Sequence, residues 1–407
     1  MPHSSSVPQS ASNRHWGFSS AGRVFFGWGV LEELRNVGQE LGKRAMVCTD
    51  RNIIKSGIAD RVEALLKEDG CEVLIFPDGR PEVDLKTIDA SAEAARQFSP
   101  DVIIGVGGGS NMDLGKCTAI LLKYPGPLSK YYGENAVPGP IIDVIGIPTT
   151  SGTGSEVSPV AVVADPDRFM KVGIATRRII PKWALVDPSL TVSCPAHVTA
   201  HSGMDALSHA IESFCARVPE DRSPRAIFVG KNPVSDSLAK QAIQLISKSL
   251  TKAVTEPSNR EARENMALAS LLAGMAFSNA GTAAVHALQY PVGEATHTSH
   301  GLGNAVLMPA VLKAITKARI PELAFIARSL DSNLNKVSDE AAAEQAAELV
   351  AQLGDSIQIP RGLGAIGMKR EQLNEMAELA SGIKRLLDNS PVPFDQTALL
   401  HILENAY

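Results

Sequence analysis

Four side chains in the second half of the chain have the types and spacing to hold a metal ion. Asp205 and His209 stand four residues apart in Gly203-Met-Asp-Ala-Leu-Ser-His209, a stretch that reads as helix, so both project from one face. His286 lies in the helix-compatible run Gly281–Tyr290, and His300 sits fourteen residues further on, just before Gly301. One carboxylate and three imidazoles suit Fe(II) or Zn, with positions left open for a substrate oxygen. With nine His in the chain, some fall near an acid by chance, and a helical Asp/His pair is often only a surface hydrogen bond, so spacing alone leaves the question open.

Two glycine- and hydroxyl-rich loops supply a second chemistry. Gly107, Gly108, Gly109 and Ser110 follow an apolar strand and precede a helix. Glycines let the backbone approach a phosphate, and a helix start offers free N–H groups. The run Thr149-Thr-Ser-Gly-Thr-Gly-Ser155, with Thr149, Thr150 and Thr153, closes another strand. Two such loops at strand C-terminal ends make a nucleotide crevice, although neither has the GxGxxG or Walker pattern. Asp50 closes the strand before them. An acid there accepts from a ribose 2′-OH and repels a 2′-phosphate, which favours NAD over NADP; the alternative is a turn-former or N-cap. Asp113, in the helix after the first loop, is expected to anchor that loop or orient the nicotinamide end. Lys116 is either a helix-surface cation or faces the crevice.

The elements that must position these groups fall into two kinds. Strands are expected at Arg23–Phe26, Arg44–Thr49, Glu72–Phe76, Asp101–Val106, Ile141–Ile147 and Trp183–Val186, with a hairpin from Val160–Val163 and Lys171–Ile174. Helices lie between several of them, including Ile53–Leu66 and Leu85–Phe98. Near-continuous apolar strands alternating with helices argue for a parallel sheet covered on both faces. After about Ser193 the pattern becomes helical, with candidates at Val198–Ala216, Ser235–Val254, Arg260–Ser278, Ala305–Ala318, Ile320–Arg328, Asp339–Leu353, Met368–Ala380 and Phe394–Ala406. The expected division is therefore a loose tail over 1–15, an α/β dinucleotide-binding domain over 16–193, and an all-helical metal and substrate domain over 194–407. The polar stretch Arg217–Pro233 reads as a projecting loop.

Composition narrows the function classes. The chain has 407 residues, 44% hydrophobic and 20% charged, enough for two domains with proper cores. A net charge of -5 with only 5% aromatic residues, and no basic patch interleaved with aromatics, argues against nucleic-acid binding. No apolar run approaches eighteen residues, so no membrane span is expected. Met1–Asn13 is Ser/Pro-rich and lacks the apolar core of a secretion signal. Five Cys without CxxC spacing point to free thiols in a reducing, cytoplasmic compartment.

Together these residues resemble the iron-containing (group III) alcohol dehydrogenase family. The match is carried by Gly107-Gly-Gly-Ser-Asn-Met-Asp113 with Lys116, Pro148-Thr-Thr-Ser-Gly-Thr-Gly-Ser-Glu156, Gly203-Met-Asp-Ala-Leu-Ser-His-Ala-Ile-Glu212, and His286 with Ser299-His300-Gly301, in order along nearly the whole chain from Arg23. The resemblance implies a dehydroquinate synthase-like architecture, reversible hydride transfer between NAD(P) and an alcohol or aldehyde, and a homodimer or larger homo-oligomer. It implies Asp205, His209, His286 and His300 as metal ligands, favouring iron. It also implies Gly107, Gly108, Gly109, Ser110, Thr149, Thr150 and Thr153 at the pyrophosphate, Asp50 as an NAD-type acid, and Lys171 at the cofactor ribose. Two places depart from the family pattern: the loop Asp78-Gly-Arg-Pro81, and the position four residues after the ligand matched by His286, where many members have a His and this chain has Tyr290. Tyr290 is either a proton relay or an aromatic wall, and His297 is a substitute relay or a solvent-facing His. His201, one turn before Asp205, is a rival ligand, a partner of a ligand, or neither; Arg80 faces an acidic substrate or solvent. Three rival readings are a maleylacetate-reductase-like enzyme, which often lacks the complete metal set, a dehydroquinate-synthase-like lyase, which calls for a dense Lys/Arg cluster, and a metal-binding structural protein, which leaves the Gly-rich crevice unexplained.

Overall fold

The strand Val102–Gly107 is buried along its whole length, as a central strand covered on both faces requires. Around it, a computed structural model describes residues 16–168, 170–218, 223 and 225–407. The tail expected over 1–15, and residues 219–222 and 224 of the expected loop, lie outside the described residues.

Among the described residues there are nine strands: β1 (Arg23–Phe26), β2 (Arg44–Cys48), β3 (Glu72–Phe76), β4 (Val102–Gly107), β5 (Gly133–Glu134), β6 (Asp143–Pro148), β7 (Val160–Val163), β8 (Val172–Ala175) and β9 (Trp183–Val186). Six form one sheet in the order β1-β9-β6-β4-β2-β3, every pair parallel. The helices α1 (Val37–Glu40), α2 (Arg51–Lys55), α3 (Ile58–Glu68), α4 (Leu85–Phe98) and α5 (Gly109–Lys123) accompany this sheet. Sequence order reverses at β2 and β4, and ligands of such sheets bind beyond the strand C-termini at that point. Asp50 after β2, Gly107 at the end of β4 and Thr149 after β6 all sit on that edge. The expected hairpin is present as the antiparallel pair β7–β8, and the short strand β5, not anticipated, adds to β8 in parallel.

The rest of the chain is helical: α6 (Ala196–Cys215), α7 (Pro233–Thr255), α8 (Arg260–Ala280), α9 (Ala284–Thr296), α10 (His300–Ile315), α11 (Ile320–Leu330), α12 (Asp339–Ala343), α13 (Ala346–Ser356), α14 (Leu373–Ser381), α15 (Lys384–Leu387) and α16 (Gln396–Asn405). One continuous apolar core runs through these helices, and each fully buried Leu or Ile in it contributes about 1.5–3 kcal/mol. The architecture is thus a parallel-sheet part followed by a helical part. They touch closely at Gly154, whose φ of 60° needs no Cβ and whose backbone lies so near Gly274 of α8 that a Cβ on Gly154 would come within 2.4 Å of the Gly274 Cα. Among the described residues no single helix is long and apolar enough to cross a membrane. The pair α8 and α9 passes by length and composition but bends by 104° at its break.

Four expected helices differ in detail. The run Ile53–Leu66 breaks at Gly57, φ 77°, into α2 and α3. Asp339–Leu353 divides into α12 and α13, and Met368–Ala380 begins as a 3₁₀ turn over Arg370–Gln372 before α14. The helix expected from Ala305 starts five residues earlier, with His300 as its first residue.

Candidate metal centre and cofactor cleft

Three helices bring the Asp/His set together. Asp205 and His209 lie one turn apart on α6, His286 in the first turn of α9 and His300 at the start of α10. One donor atom from each falls within 4.8 Å of the others. The Nε2 atoms of His209, His286 and His300 are 3.9, 4.0 and 3.7 Å from Asp205 Oδ1.

Each imidazole is turned by an acceptor on its other nitrogen. His286 Nδ1 meets Glu212 Oε2 at 2.5 Å, His300 Nδ1 meets Gln289 Oε1 at 2.5 Å, and His209 Nδ1 faces the Gly152 carbonyl at 3.3 Å. An acceptor at Nδ1 keeps the proton there and leaves the Nε2 lone pair facing Asp205. His209 is also clamped by stacking on Phe277, 4.3 Å between centroids. Burial is the main influence holding His209 and His300 below the ordinary imidazole range, His300 down to about 3, against the pull of Asp205. Burial alone would raise the Asp205 carboxyl, but the three imidazoles and the Asn304 amide outweigh it and hold it low. Neutral imidazoles around an ionised carboxylate are the protonation state that a divalent cation requires, so this donor set fits one. Asn304 Nδ2 donates to Asp205 Oδ1 at 2.8 Å and lies 3.2 Å from His300 Nε2, while its own Oδ1 is buried without a partner.

The Asp/His set lines a cavity of about 690 Å³ that Gly109, Ser110, Thr150 and Thr153 also line. Gly108 is the extended residue capping α5. A Cβ there would meet nothing nearer than Thr150 Oγ1 at 3.9 Å, whereas one on Gly109 would press on Thr153 at 2.8 Å. The cradle at this helix start therefore stays open because these positions lack side chains, which fits a pyrophosphate. Thr149 N donates to the Gly107 carbonyl at 2.9 Å, tying the two loops together.

Other expected residues take more varied places. Asp113 Oδ1 accepts from Ser155 Oγ at 2.6 Å and Oδ2 from Val162 N at 2.9 Å, so it fastens the second loop to α5. Lys116 is neither a surface cation nor a crevice group: it is fully buried, donating to Ser155 Oγ at 2.8 Å and to the Val160 carbonyl at 2.7 Å. Asp50 lies off this cavity, beside a second one of about 490 Å³. Its Oδ1 caps α2 through Asn52 N and Ile53 N, and its Oδ2 accepts from Asn111 Nδ2 at 2.6 Å. Lys171 lines the main cavity and pairs with Glu82. Tyr290 also lines it, half-buried, its ring 6.1 Å from that of His300, and burial raises its phenol pKa. His297 is exposed at the rim, ending α9 with φ 53°. His201 binds Ser299 Oγ at 2.9 Å and stands outside the Asp/His set. Arg80 pairs with Asp84 in solvent.

Sequence reasoning gave no role to Glu212, Gln289 or Asn304. Each stands one helical turn from a ligand-type residue: Glu212 three after His209, Gln289 three after His286, Asn304 four after His300. A scan of amide and carboxyl side chains at these offsets would have found them.

The family model described as iron-containing alcohol dehydrogenase matches residues 21–188, and that for the C-terminal part of the same family matches 199–407. Long-chain-alcohol dehydrogenase 1 of Geobacillus thermodenitrificans is 38% identical over 385 residues, 94% of each chain. The NAD-dependent methanol dehydrogenase of Bacillus methanolicus is 35% identical, covering 87% of this chain and 90% of its own. A crystal structure of a 1,3-propanediol oxidoreductase superposes with a TM-score of 0.91 at 34% identity, over 97% of this chain and 100% of that one. With a glycine- and hydroxyl-rich cradle at the parallel sheet lining the same cavity as three converging imidazoles and a carboxylate, and with both halves of the chain matched, this protein belongs to the iron-containing alcohol dehydrogenase family.

Proposed function

We propose that Asp205, His209, His286 and His300 hold one divalent metal, iron in preference to zinc, and that Gly107–Ser110 with Thr149, Thr150 and Thr153 hold the pyrophosphate of NAD. The protein is a metal-dependent, NAD-linked oxidoreductase of alcohols and aldehydes. The observation that carries the assignment is the common aim of three Nε2 atoms at one Asp205 oxygen, within the cavity that also contains the phosphate cradle.

When bound, the metal supplies Lewis acidity to the substrate oxygen and the nicotinamide supplies or accepts the hydride. The chain's own residues do the rest. Glu212 and Gln289 hold the imidazoles in the tautomer that leaves Nε2 free. Asp113 and Lys116 lock the second loop against α5, which fixes the cradle in the cavity that the metal ligands also line. Lys171, held by Glu82, stands on the cavity wall where it can reach the cofactor ribose. Asp50, whose charge also caps α2, excludes a 2′-phosphate from the neighbouring cavity. Tyr290 is a protonated aromatic wall beside His300, and His297 at the rim passes the proton to solvent.

The domain boundary near 193–194 follows the change from strands to helices, and the same two-part order supports the dehydroquinate synthase-like architecture. A homo-oligomer and a reducing cytoplasmic setting are proposed alongside; five unpaired thiols support the latter. The test is NAD-linked oxidation of primary alcohols before and after chelation. Activity lost on stripping and restored by Fe(II) supports the reading; full activity in metal-free protein overturns it.

A further inference from the structure

We propose that the substrate cavity is built for an alcohol or aldehyde carrying an anionic group at its far end, a carboxylate or sulfonate, and that Arg385 is the group that recognises it. This rests on the reading of the Asp/His wall as the reacting end. Among the described residues, five side chains other than His that line the cavity carry formal charge: Glu82, Asp113, Lys171, Asp205 and Arg385. Four are already matched. Lys171 pairs with Glu82, Asp113 is neutralised by Lys116 and by hydrogen bonds to Ser155 and Val162, and Asp205 faces the imidazoles.

Arg385 is the exception. Among the described residues its closest carboxylate, Glu134, is 3.8 Å away, beyond hydrogen-bond distance, and both side chains are about two-fifths exposed, at 38% and 40%. An exposed pair of that geometry contributes little and is easily exchanged for a better partner. Meanwhile the Arg385 Cζ lies 5.0 Å from the centre of the Phe228 ring, a cation–π contact that uses none of its N–H groups. Arginine with free N–H groups is suited to bidentate contact with a carboxylate or sulfonate. Neighbouring residues agree. Thr282, next in sequence to the Gly281 that abuts Phe228 and Asn389, brings a hydroxyl to the same cavity. Tyr290 lines the same cavity as Arg385 and the metal ligands. Its ring is 6.1 Å from His300, and Arg385 is the strongest influence opposing the effect of burial on its phenol. An extended substrate of a few carbons would place its oxygen among Asp205, His209, His286 and His300, its chain along Tyr290 and its anion on Arg385.

The test compares matched aldehydes: 4-oxobutanoate against butanal, and 2-oxoethanesulfonate against propanal, with wild type, Arg385→Met and Arg385→Lys holoenzymes. Wild type is expected to favour at least one anionic member through KM rather than kcat, and the pair that shows this identifies the carboxylate or the sulfonate as the natural group. In Arg385→Met the anionic-to-neutral ratio of kcat/KM falls roughly 10- to 100-fold, as expected for a lost charge-assisted hydrogen-bonded pair, and Arg385→Lys keeps part of it. Calorimetric binding of unreactive succinate weakens in parallel, which reads the site without turnover. Equal preference for charged and neutral aldehydes in wild type, or an unchanged ratio in Arg385→Met protein of normal circular dichroism, overturns the proposal. Butanal turnover separates the two levels: with butanal reduced and no anion preference only this inference falls, and with neither aldehyde reduced the alcohol dehydrogenase reading falls with it.

Discussion

Glu212→Gln probes how the metal site is held without touching a proposed ligand. Glu212 is buried and uses both oxygens as acceptors: Oε1 takes the Val285 N–H at 2.7 Å and Oε2 meets His286 Nδ1 at 2.5 Å. Glutamine has the same shape but only one acceptor oxygen, so the two donors cannot both be satisfied. If the amide oxygen serves Val285, its NH₂ confronts His286 Nδ1, and the imidazole must either lose its partner or move its proton to Nε2, the atom needed for the metal. If the oxygen serves His286, a buried backbone N–H is orphaned, which costs about 1–3 kcal/mol. Either way metal affinity is expected to fall roughly 10- to 100-fold, equivalent to about 1.4–2.8 kcal/mol. The assay is anaerobic chelator competition for Fe(II) and Zn, with urea unfolding of the apo protein as a control. Wild-type affinity for both metals in a folded Glu212→Gln variant would refute the claim that Glu212 sets the His286 tautomer.

Lys116→Met leaves the Asp113 carboxyl buried without its cation, and urea unfolding should register a loss of about 3–5 kcal/mol; a loss under about 1 kcal/mol would show that Ser155 and Val162 N–H suffice. Gly109→Val presses a branched side chain onto Thr153 and into the phosphate cradle; KM for NAD should rise tenfold or more, about 1.4 kcal/mol, with metal content unchanged, and an unchanged KM would move the pyrophosphate elsewhere. Burial raises the Glu156 carboxyl from its ordinary 4.5 to about 7, and its Oε2 has no hydrogen-bond partner. The folded state therefore holds this proton where the unfolded chain has released it, and stability falls as pH rises from 4.5 to 7. Glu156→Gln should remove that decline, gaining a few kcal/mol over wild type at pH 8 and little at pH 4; parallel stability curves for the two proteins across that range would contradict it.

Much of the fold is legible because buried parallel strands announce themselves: Val102–Gly107 and Asp143–Pro148 are near-continuous apolar runs ending in Gly or Pro. Breaks within helical stretches were harder to see. The apolar period carries across Gly57, and only its left-handed backbone separates α2 from α3. The Asp/His set was visible as residue types, but convergence depends on α6, α9 and α10 packing together, which no local spacing encodes. Partners such as Glu212 and Asn304 carry common residue types whose meaning appears only once the helices meet. Lys116 illustrates a different limit: a Lys three residues after an Asp looks like a surface pair, yet here Ser155, Ser158 and Val160 supply enough acceptors to bury the ammonium. Asp50 does the local work of capping α2, which the spacing allowed alongside a ribose contact.

The most direct test is to titrate stripped protein with Fe(II), and separately with Zn, under anaerobic conditions, following stoichiometry by calorimetry and the imidazoles by nuclear magnetic resonance. The account predicts one ion per chain, perturbing His209, His286 and His300 together while His197, His201 and His401 keep their signals, with no high-affinity uptake in Asp205→Ala. Binding that leaves any of the three untouched, or an Asp205→Ala variant that takes up metal as wild type does, would contradict it.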